Sequence, residues 1–204
     1  MDAAIEYLKN TYDPVAMILY GSYADGTMDQ NSDLDILVIT RDGIENHDLS
    51  VIDGLQLDAF VQNLEQLRLM NPMDYIQLYD GKVIFRAGFD ASELINQVRA
   101  YVHQKPAKSH EQICQDVQWC EKMLERVGRC DPEGFYRWHW VLTESLEIFC
   151  EMMGRFYFGP KKSILWMKEH APESYEIYCR ALAEFDIESL KKWIAHLRAC
   201  LERM

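Results

Sequence analysis

Two aspartates, set two residues apart at the head of an apolar run, constrain the fold of this chain more than any other feature. Asp33 and Asp35 flank Leu34 and precede the apolar residues 36–38. Alternate residues of a β-strand point to opposite faces, so both carboxylates would share one face while the apolar side chains point into a core. Two carboxylates held this close repel each other unless a positive charge lies between them. The segment therefore predicts a strand over residues 33–40 that carries a cation site.

A glycine–serine turn precedes this strand and predicts a phosphate-binding site. Residues 15–20 have the length and composition of a buried strand, and Gly21 interrupts it. Because it has no side chain, Gly21 lets the backbone approach a ligand closely. A helical turn predicted over residues 24–27 would direct free N–H groups at the same ligand, and Ser22 would add a hydroxyl donor.

A third aspartate, Asp58, lies within another apolar segment, for which the pattern predicts a strand over residues 55–62. Pairing with the neighbouring strand would bring Asp58 beside Asp33 and Asp35. Mg²⁺ prefers oxygen ligands and often bridges carboxylates to substrate phosphates. Three carboxylates beside a phosphate-binding turn are typical of a two-metal phosphoryl-transfer site.

The two halves of the 204-residue chain differ in their hydrophobic periodicity. Strand-like and helix-like segments alternate through residues 1–104, where a hairpin is predicted over residues 75–86 and a helix over residues 92–104. Beyond a linker at residues 105–109, apolar residues recur at helical spacing to the end of the chain. We therefore predict an α+β fold, with a small mixed-sheet domain over residues 1–104 followed by an all-α helical bundle over residues 105–204.

The motif residues together resemble one known superfamily. The pattern G-S-x-A-x-G, a gap, S-D-x-D and a later strand aspartate is similar to that of the nucleotidyltransferases related to DNA polymerase β. The matching residues are Gly21, Ser22, Ala24, Gly26, Ser32, Asp33, Asp35 and Asp58. Within that superfamily the chain resembles the bacterial aminoglycoside and lincosamide nucleotidyltransferases, which carry a helical C-terminal domain. The resemblance covers about residues 15–62, and for the helical half it is one of architecture.

The resemblance implies a reaction and a role for each motif residue. A palm-like catalytic domain would transfer a nucleoside monophosphate, AMP from ATP, to a hydroxyl of a small acceptor by in-line attack on the α-phosphorus, releasing pyrophosphate. Gly21 and Ser22 would hold the triphosphate, and Asp33 and Asp35 would bind two Mg²⁺ ions. Asp58 would complete the ion nearer the acceptor and help to deprotonate its hydroxyl. An aminoglycoside- or lincosamide-like antibiotic is the most concrete acceptor, which would make the protein an antibiotic-resistance enzyme.

Acidic side chains in the helical half form a second candidate site. Helical spacing places Glu144, Glu147 and Glu151 on one stripe with Trp140. A solvated helix face is the simpler interpretation. The functional alternative is that the stripe holds an amine-bearing acceptor, with Glu144 or Glu147 as the general base, a role that the resemblance to the aminoglycoside enzymes implies for a glutamate of the helical domain.

Two lysines, Lys161 and Lys162, lie near the predicted start of a later helix. Cations at that end oppose the helix dipole, so they suit a position next to an anion such as the β- and γ-phosphates of a nucleotide. Ordinary surface lysines are the alternative. In related enzymes a lysine of the helical domain contacts the triphosphate, which favours a nucleotide-binding role.

The net charge and the hydropathy of the chain limit the classes of partner that we expect. The formal net charge is −12, and such acidity disfavours a stable nucleic-acid interface. It suits a cationic acceptor, or a substrate neutralised by metal ions. No segment reaches the roughly 20 apolar residues of a membrane span, and the acidic start lacks the features of a signal peptide, so we expect a cytoplasmic protein with no membrane partner. A homodimer is expected by analogy with related antibiotic-modifying enzymes.

Two alternatives keep the nucleotide site but change its use. A minimal nucleotidyltransferase of toxin–antitoxin type would AMPylate a protein side chain. Such proteins are usually shorter chains with a separate helical partner, so the fused helical domain argues against this alternative. The other is a nucleotide-binding sensor without turnover, and the presence of all three aspartates argues against it.

Overall fold

The computed structural model describes residues 1–43, 45–69 and 71–204. Backbone contacts divide the chain into two compact units, Met1–Lys105 and Pro106–Met204. The first contains the whole of the described sheet and the second is helical, so the predicted α+β fold is confirmed. None of the described helices is both long and apolar enough to cross a lipid bilayer.

The described residues of the first unit form a mixed sheet of six strands. They are β1 (Ala16–Leu19), β2 (Leu34–Thr40), β3 (Asn46–Asp48), β4 (Val51–Ile52), β5 (Leu55–Asn63) and β6 (Lys82–Arg86). The strand order is β3-β5-β2-β1-β6, and β4 also pairs with β5. β2 and β5 run parallel, whereas the other pairs are antiparallel. The strands predicted over residues 33–40 and 55–62 agree with β2 and β5 to within one residue.

Helices cover both sides of the sheet because its central strands are apolar on both faces. The helices of the first unit are α1 (Asp2–Tyr12), α2 (Gly21–Asp25), α3 (Leu64–Leu67), a 3-10 helix (Pro72–Asp80) and α4 (Ser92–Gln104). On one face, Ile36 of β2 shares a core with Leu8 of α1. On the other face, Leu37 shares a core with Leu78 of the 3-10 helix and Val98 of α4. Alternation along β2 therefore serves two cores at once.

The hairpin predicted over residues 75–86 is wrong. Pro72–Asp80 is 3-10 helical with a kink at Tyr75, and β6 then pairs with β1. The side chain of Asn71 caps this helix, and the proline that follows suits the first helical turn, where a missing N–H leaves no bond unmade. Tyr75 and Leu78 are buried and lie three residues apart, a spacing that fits one face of a helix but not one face of a strand.

The second unit is a helical bundle around its own core. Its helices are α5 (His110–Val127), α6 (Pro132–Met152), α7 (Pro160–His170), α8 (Pro172–Ala183) and α9 (Ile187–Leu201). The fully buried rings of Phe149 and Trp193 lie 5.8 Å apart. The indole N–H of Trp193 donates to Ser145 Oγ at 2.8 Å, so this large buried ring keeps its polar atom satisfied. Reciprocal hydrogen bonds between Ser109 and Gln112 define the start of α5.

A buried carboxylate ties the edge strand β3 to α1. Asp48 is 6% exposed and accepts hydrogen bonds from the Tyr12 hydroxyl at 2.7 Å and from the Ser50 amide at 2.9 Å. Burial alone would raise the pKa of Asp48, but the hydrogen bonds from Ser50 and Tyr12 outweigh it and hold this pKa below its ordinary value. Burial and the same hydrogen bond raise the pKa of Tyr12 to about 12.

We predict that Asp48→Asn removes a pH-dependent part of the stability. Because the folded-state pKa of Asp48 is lowered, its contribution is present above the unfolded-state pKa of about 4 and is lost as the pH falls through the folded-state value. The variant should lose about 1–3 kcal/mol of unfolding free energy at neutral pH, since Tyr12 and Ser50 lose a charged acceptor. The difference from the wild type should shrink near pH ~3.

Urea unfolding at the two pH values measures both differences. Asp13→Asn is the matched control, because Asp13 is exposed and has a φ of 45°, which asparagine tolerates. A stability loss in Asp48→Asn that is the same at both pH values would contradict the prediction.

Candidate active site

The parallel pairing of β2 and β5 brings two of the predicted aspartates together. Asp35 and Asp58 are direct partners in the register, so their side chains leave the same face of the sheet. Both are half-buried. Asp33 is exposed and lies one residue before the start of β2. The structure thus places Asp35 and Asp58 side by side on neighbouring strands, with Asp33 just before the start of β2.

Gly21 packs directly against the carboxylate of Asp35. Its φ of 63° lies in the left-handed region, and a Cβ at this position would stand 2.0 Å from Asp35 Oδ2. Both the backbone conformation and the close approach require glycine. The backbone N–H of Tyr20 donates to the Asp35 carbonyl at 3.0 Å, which holds the end of β1 against β2. The glycine–serine turn and the carboxylate therefore lie against each other.

The turn after β1 is helical from Gly21, three residues earlier than predicted. The helix α2 ends at Gly26, whose amide donates to the Ser22 carbonyl at 3.0 Å. Gly21 permits this early start because its left-handed φ lets the chain leave β1 and enter a helix within one residue. Both residues that the resemblance assigns to the triphosphate, Gly21 and Ser22, therefore lie in the first turn of α2.

Tyr20 is buried close to both carboxylates. Burial, and then the negative charges of Asp58 and Asp35, raise the pKa of the Tyr20 hydroxyl above its ordinary value. The hydroxyl therefore stays protonated at neutral pH and provides a donor at the inner side of the site.

A histidine outside the predicted site lies against Asp58. His47 Nε2 is 2.5 Å from Asp58 Oδ1, and the His47 ring stacks on Phe60 with centroids 4.1 Å apart. His47 has no metal-ligand spacing in the sequence. The contact arises because β3 pairs antiparallel with β5 and puts His47 opposite Phe60. Only this pairing could have revealed it, and a three-residue strand gives almost no periodicity from which to predict one.

The argument that this site can hold a metal ion rests on the chemistry of its carboxylate oxygens. Among the described residues, no three His, Cys, Asp or Glu side chains converge as they would around a metal ion. Carboxylates without a cation repel each other, and Asp58 is instead hydrogen-bonded to His47. Carboxylate oxygens of Asp35 and Asp58 on one face still suit a hard divalent cation. The metal-binding roles of Asp33, Asp35 and Asp58 stay predictions.

An open pocket of about 160 Å³ lies on the same face as the carboxylates. Leu37 and Phe60 line it, and they follow Asp35 and Asp58 by two residues, about 7 Å along the strands. The other lining residues are Tyr20, Gln62, Asp74, Tyr75 and Gln77. A ligand there would meet three aromatic side chains, a carboxylate and two carboxamides, beside the next residue pair of β2 and β5 on the face that carries Asp35 and Asp58.

The glutamate stripe of the second unit lines an open pocket of about 340 Å³ that belongs to this unit alone. Glu144, Glu147 and Glu151 contribute to it. The other lining residues are Lys108, Asp116, Trp119, Trp140 and Ile148. Lys108 Nζ lies 2.8 Å from an Asp116 oxygen and 2.6 Å from a Glu151 oxygen. The stripe is therefore part of a concave acidic surface with aromatic walls rather than a flat solvated face.

The two predicted phosphate-binding lysines lie in the first turn of α7. Lys161 is exposed, and Lys162 is half-buried with Nζ 5.9 Å from the centre of the Phe158 ring. Their contact with a triphosphate stays a prediction.

The sequence of the first unit matches a known family. Residues 3–96 match the family model described as Polymerase beta, Nucleotidyltransferase, and this range includes Gly21, Asp35 and Asp58. The match covers most of the first unit, which is therefore similar to polymerase β-like nucleotidyltransferase domains. The match supports nucleotidyl transfer as the activity of the protein.

Two solved structures resemble the chain at low sequence identity. One is a nucleotidyltransferase-like protein from Exiguobacterium sibiricum 255-15, at 15% identity and a TM-score of 0.42, with 99% of this chain and 73% of that chain covered. The other is a chain from a toxin–antitoxin structure with AMP-PNP, at 22% identity and a TM-score of 0.31, with 48% of this chain and 85% of that chain covered. No curated protein sequence is significantly similar to the chain.

We predict that Gly21→Ala damages the site beyond its backbone strain. The left-handed φ would cost about 1–2 kcal/mol with any side chain, and the new Cβ would also displace the Asp35 carboxylate. Gly54→Ala is the matched control, because Gly54 has a φ of 80° and open space where its Cβ would lie. Nucleotidyl transfer should fall about 100-fold in Gly21→Ala, as expected for a misplaced reacting group.

Activity and thermal unfolding of both variants separate strain from displacement. Both should lose a similar amount of stability from the backbone, and only Gly21→Ala should lose activity. Equal activity in the two variants would show that the contact between Gly21 and Asp35 does not shape the site.

Proposed function

We propose that the protein transfers a nucleoside monophosphate, AMP from ATP, to a hydroxyl group of a small acceptor and releases pyrophosphate. The observation that carries the proposal is the pairing of Asp35 with Asp58 beside the Gly21 turn, inside a polymerase β-like domain. In phosphoryl transfer the protein mainly positions the reactants and neutralises charge. Carboxylates next to a backbone turn that a phosphate can approach suit both tasks.

The candidate residues fall into three groups with different tasks in the proposed reaction. Gly21 and Ser22 hold the triphosphate through backbone and hydroxyl donors. Asp33, Asp35 and Asp58 would hold Mg²⁺, two ions in the proposed arrangement, which when bound neutralises the phosphate oxygens. Lys161 and Lys162 of the second unit are assigned to the outer phosphates by the resemblance to related enzymes.

The strand order indicates from which side of the candidate site the acceptor would approach. Gly21 follows β1, and Asp58 lies on β5, with β2 and Asp35 between them. In-line displacement requires the attacking hydroxyl to approach opposite to the departing pyrophosphate. If the Gly21 turn holds the triphosphate, the hydroxyl approaches on the Asp58 side. Asp58 is therefore the carboxylate of the first unit that is best placed to accept the hydroxyl proton.

The acidic pocket of the second unit supports a cationic acceptor. Four carboxylates face one ammonium group, that of Lys108, among its lining residues. Trp119 and Trp140 meet edge to face with ring centres 5.2 Å apart and add aromatic surface that favours cations. An aminoglycoside- or lincosamide-like compound combines amines with hydroxyl groups and fits this chemistry. Glu144 is the proposed general base toward such an acceptor, with Glu147 as the alternative.

The proposed setting is a cytoplasmic enzyme without a stable nucleic-acid or membrane partner. The formal net charge of −12 supports the first exclusion, because a nucleic-acid interface needs clustered cations. A homodimer is part of the proposal by analogy with antibiotic-modifying enzymes.

We predict that pyrophosphate release requires both paired carboxylates. The assay combines each of the four nucleoside triphosphates and Mg²⁺ with a panel of aminoglycosides, lincosamides and small proteins. Asp35→Asn and Asp58→Asn should each lower acceptor-dependent release by more than about 100-fold, since even residues that only support a metal ligand cost 10–100-fold. Asp53→Asn is the matched control, because Asp53 is exposed in a turn with a φ of 51°.

The outcome separates the candidate functions. Release with one small acceptor supports the proposal, whereas release only with a protein supports AMPylation. Undiminished release in Asp35→Asn or Asp58→Asn would contradict the proposed site, and tight nucleotide binding without release would indicate a sensor.

We predict that removing charge from the acidic pocket weakens binding of a cationic acceptor. Glu144→Gln and Glu147→Gln together should raise the KM for an amine-bearing acceptor about 10-fold, the effect of roughly 1.4 kcal/mol of lost ion pairing. They should also lower kcat, because Glu144 or Glu147 is the proposed general base. The KM for the nucleotide should stay unchanged. Glu169→Gln, an exposed charge outside the pocket, is the control. An unchanged acceptor KM in the double variant would remove the support that this pocket gives to a cationic acceptor.

A further inference from the structure

We propose that His47 is a positioning residue that orients Asp58 for metal binding, an inference that rests on the function proposed above. His47 Nε2 lies 2.5 Å from Asp58 Oδ1. An imidazole N–H that donates to one carboxylate oxygen restricts rotation of the carboxylate and leaves the other oxygen to face a metal ion. In this arrangement His47 acts through Asp58 and does not touch the reactants.

The His47 ring is held in place by its neighbour across the strands. His47 is the register partner of Phe60 in the antiparallel pair of β3 and β5. The two rings stack with centroids 4.1 Å apart and planes inclined by 12°. Phe60 and Asp58 lie on the same face of β5, two residues apart, so a ring stacked on Phe60 has an edge directed at Asp58. Stacking thus fixes the imidazole in the plane from which Nε2 reaches the carboxylate.

The three-residue strand that carries His47 is fixed on its opposite face. Asn46 and Asp48 flank His47 and point away from it, toward α1. The hydroxyl of Tyr12 on α1 accepts a hydrogen bond from Asn46 Nδ2 at 2.9 Å and donates one to Asp48 at 2.7 Å. One tyrosine therefore secures both neighbours of His47. A short edge strand would otherwise be a weak support for a residue that must hold its position.

The energetics favour orientation over stability as the main effect of this contact. The side chains of His47 and Asp58 are 43% and 31% exposed. Ion pairs and hydrogen bonds at such exposure add little to the free energy of unfolding. The direction of the Asp58 carboxylate, in contrast, depends directly on which of its oxygens is engaged. We assign His47 to positioning rather than to metal binding because its Nε2 faces Asp58 Oδ1.

Two substitutions separate the donor of His47 from its ring. His47→Phe keeps a ring to stack on Phe60 and removes the donor. His47→Gln keeps a side-chain N–H that can reach the position of Nε2 and removes the ring. Mn²⁺ binding to the full chain, measured by electron paramagnetic resonance in the presence of a non-hydrolysable ATP analogue, reports the metal site independently of turnover. We expect the Kd for Mn²⁺ to rise about 10–100-fold in His47→Phe and to stay within a few-fold of the wild type in His47→Gln.

Kinetics and stability provide the second readout. In His47→Phe the kcat should fall with little change in the KM for ATP, while the thermal unfolding midpoint stays close to that of the wild type. His170→Phe is the matched control, because the His170 ring stacks on Trp166 at 5.1 Å in the second unit. It should change neither metal affinity nor kcat.

Asp58→Asn distinguishes failure of this inference from failure of the proposed function. If Asp58→Asn loses Mn²⁺ affinity and His47→Phe does not, Asp58 is a metal ligand and His47 does not position it. If Asp58→Asn binds Mn²⁺ as the wild type does, the proposed metal site is wrong and the inference about His47 falls with it. Equal losses of metal affinity and of stability in His47→Phe and His47→Gln would assign His47 a structural role only.

Discussion

The parallel pairing of β2 with β5 is the constraint on which the candidate site depends. Parallel neighbours need a connection long enough to return the chain to the same end of the sheet. Here the described part of that connection contains no helix and forms the short strands β3 and β4, which pair with β5. The connection that aligns Asp35 with Asp58 therefore also places the edge strand β3 beside Asp58. The contact with His47 is a consequence of that topology.

This alignment has an electrostatic cost, because like charges on adjacent strands destabilise a sheet. The fold offsets the cost from the opposite face. Leu34, Ile36, Leu57 and Ala59 flank the two aspartates along the strands and are all fully buried. Each fully buried leucine or isoleucine stabilises by about 1.5–3 kcal/mol, so Leu34, Ile36 and Leu57 together outweigh the roughly 3–4 kcal/mol of repulsion between two carboxylates about 4–5 Å apart at a surface-like dielectric. The apolar face thus determines the register, and the carboxylates follow it.

Local patterns predicted the parts of the site that lie within one strand or one turn. The alternation around Asp35 and the apolar run around Asp58 were sufficient for β2 and β5, and the glycine–serine turn lies where the sequence indicated. What the sequence could not supply was pairing between distant segments. His47 meets Asp58 only through the register of a three-residue strand. The 3-10 helix at Pro72–Asp80 was missed because it is short and kinked at Tyr75, so its two buried residues define no clear period.

Lys108 is the cation among the lining residues of the acidic pocket in the second unit, where it faces four carboxylates. Lys108 loses hydration on burial, but its hydrogen bonds to Asp116 and Glu151 outweigh this and raise its pKa, so it stays charged. It offsets part of the charge of Asp116 and Glu151, and the lining residues still carry more carboxylates than ammonium groups. The Arg137 guanidinium, which does not line the pocket, lies 5.2 Å from the centre of the Trp140 ring, so this ring already has a cation–π contact. An amine entering between Glu144 and Trp140 would meet a charge and an aromatic surface that both favour it. The same carboxylates would repel a phosphate, so the charge of this pocket suits the acceptor of the proposed reaction rather than its nucleotide.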